Sequence, residues 1–241
     1  MATAHFLMQG KGGVGKSLVA SLLFQYLQRK NLIVHGCDTD PINSTFAGYK
    51  EFNITALEVM KGNDIDQRQF DRIIDAVCAI PEEAHIVIDN GASSFVSLCG
   101  YIKESRAFDI LTEEGHTVLI HALVTGGQAL SDTLSGLDSL IEHFYETPIV
   151  VWLNPYYGEI RLDGNDFYGF KVYQKSPASY RAVIELPPLK PETFGKDFEE
   201  LMAKKWSFSQ ALNSSLPLMT RSRLASVWLG IERVIDQARL I

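Results

Sequence analysis

A glycine-rich stretch near the start of the chain, MQGKGGVGKS at residues 8–17, carries the residue types that bind phosphate. It matches the spacing G-x-x-x-x-G-K-[ST], in which consecutive backbone N–H groups and a helix N-terminus point at an anion. In this pattern Lys16 reaches the β- and γ-phosphates of a nucleotide, and the Ser17 hydroxyl holds Mg²⁺. The predicted nucleotide-binding set is Gly10, Lys11, Gly12, Gly13, Val14, Gly15, Lys16, Ser17 and Leu18.

Acidic side chains follow two later apolar runs, where a nucleotide site needs them. Asp38 and Asp40 come at the end of LIVHGCDTD, and Asp89 ends AHIVID. In a parallel sheet, these strand ends share one edge with the loop at residues 8–17. We expect Asp89 to hold the Mg²⁺ shell through water, Asp38 to position further Mg²⁺ waters, and Asp40 to orient the attacking water. A turn or cap role is the alternative for any one of them.

One further polar side chain, Asn154, ends the apolar run PIVVWLN. Its amide is predicted to read the edge of an adenine ring, and the alternative is an asparagine turn before Pro155. The six histidines show no metal-ligand spacing, so we expect them to be packing or surface residues.

The elements around these residues alternate in a regular way. An apolar run precedes the glycine-rich loop, and SLVASLLFQYLQRK after it places its apolar residues at helical spacing. Continuously apolar runs separated by helix-like segments predict an α/β fold over 1–241, with a mostly parallel twisted sheet covered by helices on both faces. The Gly- and Tyr-rich stretch 155–179 is long for a connection, which predicts a functional flap or a small hairpin insertion. The predicted strands are residues 5–8, 32–38, 84–90, 116–124, 148–154 and 180–187.

Composition and charge narrow the class of protein. Hydrophobic residues make up 46% of the 241 residues, which is enough for a sizeable core. The net charge of −7 argues against a general nucleic-acid coat. Residues 161–241 nevertheless hold 12 Lys+Arg against 9 Asp+Glu, an excess that suits contact with DNA or with an acidic partner, or an ordinary solvated surface.

The cysteines and the hydropathy pattern bear on the compartment. Cys37, Cys78 and Cys99 are odd in number and form no C-x-x-C pair, which predicts reduced thiols and a cytoplasmic protein. No apolar stretch approaches the length of a membrane span, so we expect no membrane insertion. The apolar residues of the C-terminal segment recur at helical spacing and are predicted to pack in the core.

The lysine at the second position of the loop, Lys11, makes the motif more specific. KGGVGKS resembles the deviant Walker A motif of the ParA/MinD superfamily of P-loop ATPases, and DTDP and IDNGASS resemble its switch I and Walker B/switch II segments. The resemblance implies ATP and Mg²⁺ as cofactors, with Lys11, Lys16 and Asp40 as catalytic residues. It also implies an ATP-dependent homodimer in which Lys11 reaches the partner's phosphates as a positive charge supplied in trans.

Over nearly its whole length, the chain further resembles the TraL-type proteins of conjugative plasmids. The sequence segments that carry this resemblance include QGKGGVGKSLVASLL, DTDPINSTFAGYK, VTGGQALSDTLSG and SLPLMTRSRL. It implies a slowly hydrolysing, dimerising switch that supports conjugal transfer by positioning DNA or a transfer component. The implied partners are a component of the conjugation machinery or the relaxosome with plasmid DNA. Two alternatives stay open: a P-loop small-molecule ligase or kinase, which Lys11 disfavours, and a nucleotide-binding scaffold without significant turnover.

Overall fold

A computed structural model describes residues 1–40, 42–61 and 64–241 of the chain. Its nine strands are β1 Thr3–Leu7, β2 Val34–Asp38, β3 Thr55–Ala56, β4 Met60–Lys61, β5 Asp64–Ile65, β6 His85–Asp89, β7 Thr117–Thr125, β8 Ile149–Asn154 and β9 Tyr180–Glu185. Seven of them form one sheet in the order β3-β2-β6-β1-β7-β8-β9, and β4 pairs with β5 in a separate two-stranded sheet. Neighbouring strands of the large sheet run parallel, as the continuously apolar runs predict.

Helices cover both faces of this sheet because successive strand residues point to opposite sides and both sides are apolar. Phe6 of β1 packs into one core, and Leu7 packs into the other. The predicted α/β fold with helices on both faces is confirmed. The helices are α1 Lys16–Arg29, α2 Asp71–Ala79, α3 Phe95–Ser105, α4 Ala107–Glu113, α5 Leu130–His143, α6 Lys171–Lys175, α7 Lys196–Ala203, α8 Phe208–Leu212 and α9 Leu218–Gln237.

The last and longest helix, α9, closes the face that also carries α1. Its predicted apolar stripe is buried in the core, which confirms a packing role. Among the described residues, no helix is both long enough and apolar enough to cross a bilayer. The stripe consists of Leu224, Val227, Trp228, Ile231 and Ile235.

The stretch 155–179 folds into single helical turns and α6, with one isolated antiparallel bridge between Leu162 and Asn165. Phe167 anchors this stretch, since it is only 1% exposed and packs against a group of aromatic rings that includes Tyr173 and Tyr180. A role as a flap stays a prediction.

Three histidines and a tryptophan form a buried row of hydrogen bonds across four neighbouring strands. The Trp152 indole N–H donates to Nδ1 of His121 at 2.9 Å, and Nε2 of His121 lies 2.9 Å from Nδ1 of His5. Nε2 of His5 in turn lies 3.0 Å from Nδ1 of His85. Because the indole can only donate, His121 and His5 must each accept at Nδ1 and donate from Nε2, and His85 must accept at Nδ1. The row therefore requires all three imidazoles to be neutral.

Candidate nucleotide-binding site

The glycine-rich loop joins β1 to α1 at the centre of the sheet, and two of its glycines adopt backbone angles that favour glycine. Gly13 has φ +74° and Gly15, which immediately precedes α1, has φ +102°. A side chain at Gly10 is also excluded, because its Cβ would lie 2.9 Å from the Phe95 ring. The loop therefore has the strand–turn–helix form that its spacing predicts.

Backbone donors converge on the concave side of this loop. The N–H groups of the first turn of α1 have no intrahelical acceptor, and no side chain caps the helix that begins at Lys16. In the described part of the chain, the N–H groups of residues 12–18 donate no hydrogen bond of standard geometry. Unpaired donors at a helix N-terminus favour an anion. The arrangement suits the phosphates of a nucleotide.

Lys16 is held over the loop. Its side chain is 7% exposed, and Nζ donates to the carbonyl oxygen of Lys11 at 3.2 Å. Burial lowers the pKa of Lys16, while the nearby carboxylates of Asp89 and Asp40 act to raise it. A phosphate would add negative charge beside this ammonium and stabilise its charged form.

Asp89, at the end of β6, is the least satisfied polar group of the site. It is 1% exposed, and neither carboxylate oxygen has a hydrogen-bond partner within the described residues. Burial raises the pKa of Asp89 to about 7; the Ser17 hydroxyl and the Lys16 ammonium lower it, although Ser17 forms no hydrogen bond of standard geometry. Two orphaned carboxylate oxygens beside a serine hydroxyl and a phosphate-binding loop fit the ligand set of a hydrated Mg²⁺.

Asp38 and Asp40 lie at the next strand end, and each organises the loop that follows β2. Asp38 accepts backbone N–H bonds from Asp40 at 3.0 Å and from Ala47 at 2.8 Å, so both its oxygens are engaged. Burial raises the pKa of Asp38, and these amide donors partly offset the rise. The structure shows Asp38 bracing the loop, and its role towards Mg²⁺ stays a prediction.

The negative charge of Asp40 acts on the phosphate loop, because it raises the pKa of Lys16. Its Oδ1 accepts from the N–H groups of Ile42 and Asn43, and its carboxylate lies against Gly91, where an added Cβ would sit 3.0 Å from Cγ. Asp40 therefore bridges the segments after β2 and β6. Pro41 of the DTDP motif lies outside the described residues.

Lys11 pairs with Asp132 in the first turn of α5, with Nζ 2.8 Å from Oδ2. Both side chains are about half exposed, at 44% and 58%. Buried Gln9 joins the same elements: its amide donates to the carbonyls of Leu123 and Thr133, and its oxygen accepts from the N–H of Lys11.

Asn154 lies at the end of β8, and its side chain contacts the loop directly. The amide donates to the carbonyl of Val14 at 3.0 Å, and its oxygen accepts from the N–H of Tyr156. Asn154 thus caps the helical turn that starts at Pro155 and tethers the phosphate loop. The cap follows the alternative interpretation from the sequence, and recognition of adenine stays a prediction.

An apolar cavity of about 510 Å³ adjoins the loop and has the size and lining of a site for a planar ring. Leu18 and Leu22 of α1 form one wall, and Pro187 and Pro188 after β9 form another. Two tyrosines close its rim: Tyr156 donates to Glu199 at 2.9 Å, and Tyr157 donates to the carbonyl of Gly13 at 3.1 Å. A phosphate loop beside an apolar ring site indicates a nucleotide.

Comparison with known proteins agrees with this geometry. The sequence profile of the CobQ/CobB/MinD/ParA nucleotide binding domain matches residues 6–225. The chain belongs to this family. The predicted resemblance to the ParA/MinD superfamily is confirmed, and it extends over most of the chain.

Two curated members of the family from Escherichia coli, each named Protein TraL, are similar to the chain from end to end. They are 43% and 44% identical over 243 residues, which covers 100% of this chain and 100% of each relative. The predicted similarity to TraL-type proteins is therefore confirmed.

Among solved structures of the family, two MinD proteins share the fold. MinD of Aquifex aeolicus superposes with a TM-score of 0.51 at 12% identity, covering 97% of each chain. MinD of Pyrococcus horikoshii, solved with Mg-ADP, superposes with a TM-score of 0.52 at 14% identity, covering 100% of each chain. At such identities the likeness shows the fold alone.

Several residues of the site were not predicted from the sequence. Asp132 sits in a helix of ordinary composition, Glu199 lies in a charged helical turn, and Gln9 precedes the motif without belonging to it. Only Tyr156 and Tyr157 carried a local signal, because they stand two and three residues after Asn154, the polar residue at the end of β8.

Proposed function

We propose that the chain binds and slowly hydrolyses Mg-ATP in the cytoplasm and acts as a dimerising switch in plasmid conjugal transfer. The observation that carries the proposal is the orphaned, buried carboxylate of Asp89 beside Ser17 and Lys16. Such a group is costly to bury unless a cation or donor completes it. The end-to-end similarity to proteins named TraL supports the role in transfer.

Binding would use the groups that the loop leaves free. The N–H groups of residues 12–18 would cradle the phosphates, and Lys16 would face the β- and γ-phosphates. Ser17 and Asp89 would hold Mg²⁺, Asp89 through water. Asp38 would brace the loop that follows β2 and help to position Mg²⁺ waters. When bound, Mg²⁺ supplies positive charge that offsets the charge of the transferred phosphoryl group.

Hydrolysis would depend on the placement of a water. Asp40, in the loop that follows β2 and against Gly91 after β6, would accept a hydrogen bond from a water in line with the γ-phosphate. Its backbone contacts to Ile42 and Asn43 fix its position. Without a partner protein, this water would be poorly activated, which is consistent with slow turnover.

Dimerisation would use Lys11. In the monomer this lysine pairs with Asp132, but an exposed ion pair contributes only about 0–1 kcal/mol, so little free energy opposes its release. Facing the triphosphate of a second copy, the ammonium would offset the repulsion between two nucleotides and stabilise the phosphoryl charge in trans.

The partner would be a protein of the transfer apparatus, or the relaxosome with its plasmid DNA. Direct, non-specific DNA contact through the C-terminal third is the weaker form of the proposal. Arg223 is paired with Asp197, and Arg221 donates to the carbonyl of Leu212 while its Nε is buried. Retention of duplex DNA at low salt, lost steeply as salt rises, tests this form; no retention with ATP present removes it.

Nucleotide binding is tested by melting with and without Mg-ATP. At about one hundred times the dissociation constant, binding stabilises the fold by roughly 2.7 kcal/mol, and Lys16→Ala should abolish most of the shift. Lys103→Ala, at an exposed lysine on α3, is the matched control and should keep it. An undiminished shift in Lys16→Ala would remove the phosphate-loop assignment.

The switch is tested by comparing Lys11→Ala with Asp40→Ala by light scattering and phosphate release. Asp40→Ala should bind ATP, lose hydrolysis and accumulate as a dimer, because it loses the group that places the water but keeps Lys11, Lys16 and the phosphate loop. Lys11→Ala should bind ATP and yet form no additional dimer when Mg-ATP is added, and it should be inactive, because it lacks the charge across the interface. If Mg-ATP increases dimerisation of neither wild type nor Asp40→Ala at tens of micromolar, the ATP-dependent dimer mechanism is wrong and the scaffold and ligase alternatives gain.

A further inference from the structure

The outer side of β9 is an open sheet edge. β9 is the last strand of the large sheet and pairs with β8 alone. In the described part of the chain, no other segment makes a backbone hydrogen bond to residues Tyr180–Glu185. Such an edge presents N–H and C=O groups ready to pair with another strand.

The pairing with β8 determines which groups face outward. The N–H of Leu186 donates to the carbonyl of Leu153 on β8, so the residues at alternate positions before Leu186 also face β8. Val183 and Glu185 consequently direct their N–H and C=O groups away from the sheet. The register with β8 shifts between Tyr180 and Ala182, so Arg181 lies at this irregularity and the alternation does not fix the direction of its backbone groups.

The edge is accessible, and little protects it. A groove of about 550 Å³ runs along it, bounded by Tyr168 on one side and by the end of α9, at Gln237 and Ala238, on the other. The strand has no proline or lysine, the residues that commonly blunt an edge, before Pro187 and Pro188 end the run of free N–H groups.

The two charges of β9 make the edge complementary to itself. Arg181 and Glu185 are exposed and lie equally far from Val183 in the sequence. The Arg181 guanidinium donates one hydrogen bond, to the carbonyl oxygen of Arg239 at 2.6 Å, and its other N–H groups can meet a carboxylate. If a second β9 runs antiparallel with Val183 on the two-fold axis, Arg181 of each copy stands opposite Glu185 of the other. Val183 then forms a hydrogen-bonded pair with its copy across the axis, and the side chain of Arg181 in each copy comes within reach of Glu185 in the other.

We propose that a second copy of this chain docks on β9, edge to edge and antiparallel, to form a sheet that continues through both copies. The interface is isologous, so both ion pairs form together. β7 and β8 separate β9 from β1, which leads into the phosphate loop, so the paired residues Arg181, Val183 and Glu185 lie apart from that loop and the contact needs no ATP. The proposal therefore stands independently of the proposed function.

The test is sedimentation equilibrium of the full chain without nucleotide and with EDTA, up to several hundred micromolar. Wild type should show a reversible monomer–dimer equilibrium. Arg181→Glu and Glu185→Arg should each weaken it by about tenfold, because each places like charges opposite one another in two symmetric pairs. Mixed together, the two variants should dimerise about as well as wild type, since both cross-strand pairs are then opposite in charge.

Lys171→Glu is the matched control, with the same change of charge at an exposed site on α6, and should leave the equilibrium unchanged. Each variant should keep the wild-type melting temperature, since the altered side chains are exposed. A wild type that stays monomeric overturns the proposal and leaves the edge to a strand of another protein. Dimers that both single variants retain, or a mixture that fails to recover, also overturn it.

Discussion

The row of hydrogen bonds from Trp152 to His85 should make the fold sensitive to mild acid. Every unprotonated ring nitrogen in the row already accepts a hydrogen bond, so adding a proton to any of these rings breaks a contact. Burial lowers the pKa of His121 to about 3, and burial together with its two histidine neighbours lowers that of His5 well below its usual value. In mild acid the native state therefore binds fewer protons than the unfolded chain does.

The size of the effect follows from linkage. The unfolded pKa of histidine is about 6.5, so at pH 5 each histidine that stays neutral in the fold removes about 2 kcal/mol from the free energy of unfolding. His5 and His121 together remove about 4 kcal/mol, a large part of the 5–15 kcal/mol typical of a folded domain. Because their folded pKa values are depressed, this stability is complete above pH 6.5 and is lost as the pH falls towards the native values.

The assay is urea unfolding at 25 °C between pH 7.5 and pH 5, with wild type compared with His5→Gln. The variant loses hydrogen bonds and is less stable at pH 7.5, but its unfolded chain binds one proton fewer. The stability gap between the two proteins should therefore narrow by about 2 kcal/mol at pH 5. Asp89, whose raised pKa gives a pH dependence of opposite sign, cancels in this difference.

His143→Gln is the control, because His143 is exposed on α5 and outside the row. Its stability should follow that of wild type at every pH. A gap between wild type and His5→Gln that stays constant across the range would refute the reasoning, as would NMR evidence that His5 or His121 is protonated at pH 6.

Two further predictions concern the nucleotide site. With the pKa of Asp89 near 7, a proton competes with Mg²⁺, so calorimetric affinity for Mg-ATP should be about tenfold weaker at pH 6 than at pH 8. Asp89→Asn should bind weakly with a flatter pH dependence, and a pH-independent wild type contradicts the idea. Gly126→Ala should destabilise the fold by about 1–3 kcal/mol and weaken ATP binding, because its Cβ would lie 2.2 Å from the carbonyl oxygen of Gly158, beside the tyrosine rim. Gly100→Ala, with open space around it, should leave the free energy of unfolding, measured by chemical denaturation, unchanged or slightly raised. Equal effects of the two changes would refute the steric argument.

The sequence by itself determined the parts of this protein that depend on local spacing. The phosphate loop needs its glycines, Lys16 and Ser17 within one turn, and the apolar runs that flank it dictate a strand and a helix. Asp38, Asp40 and Asp89 were predictable for a related reason, since parallel strands bring their carboxyl ends to one edge whatever their order in the sheet.

Only the tertiary structure decided which distant residues meet. His5, His85 and His121 lie on strands far apart in the chain, and they touch because the order β6-β1-β7 places those strands side by side in one register. Lys11 finds Asp132 for the same reason, because α5 begins where β7 ends beside the loop. Periodicity in a sequence reports which face of an element is buried, but strand order and register are set by the packing of the whole core.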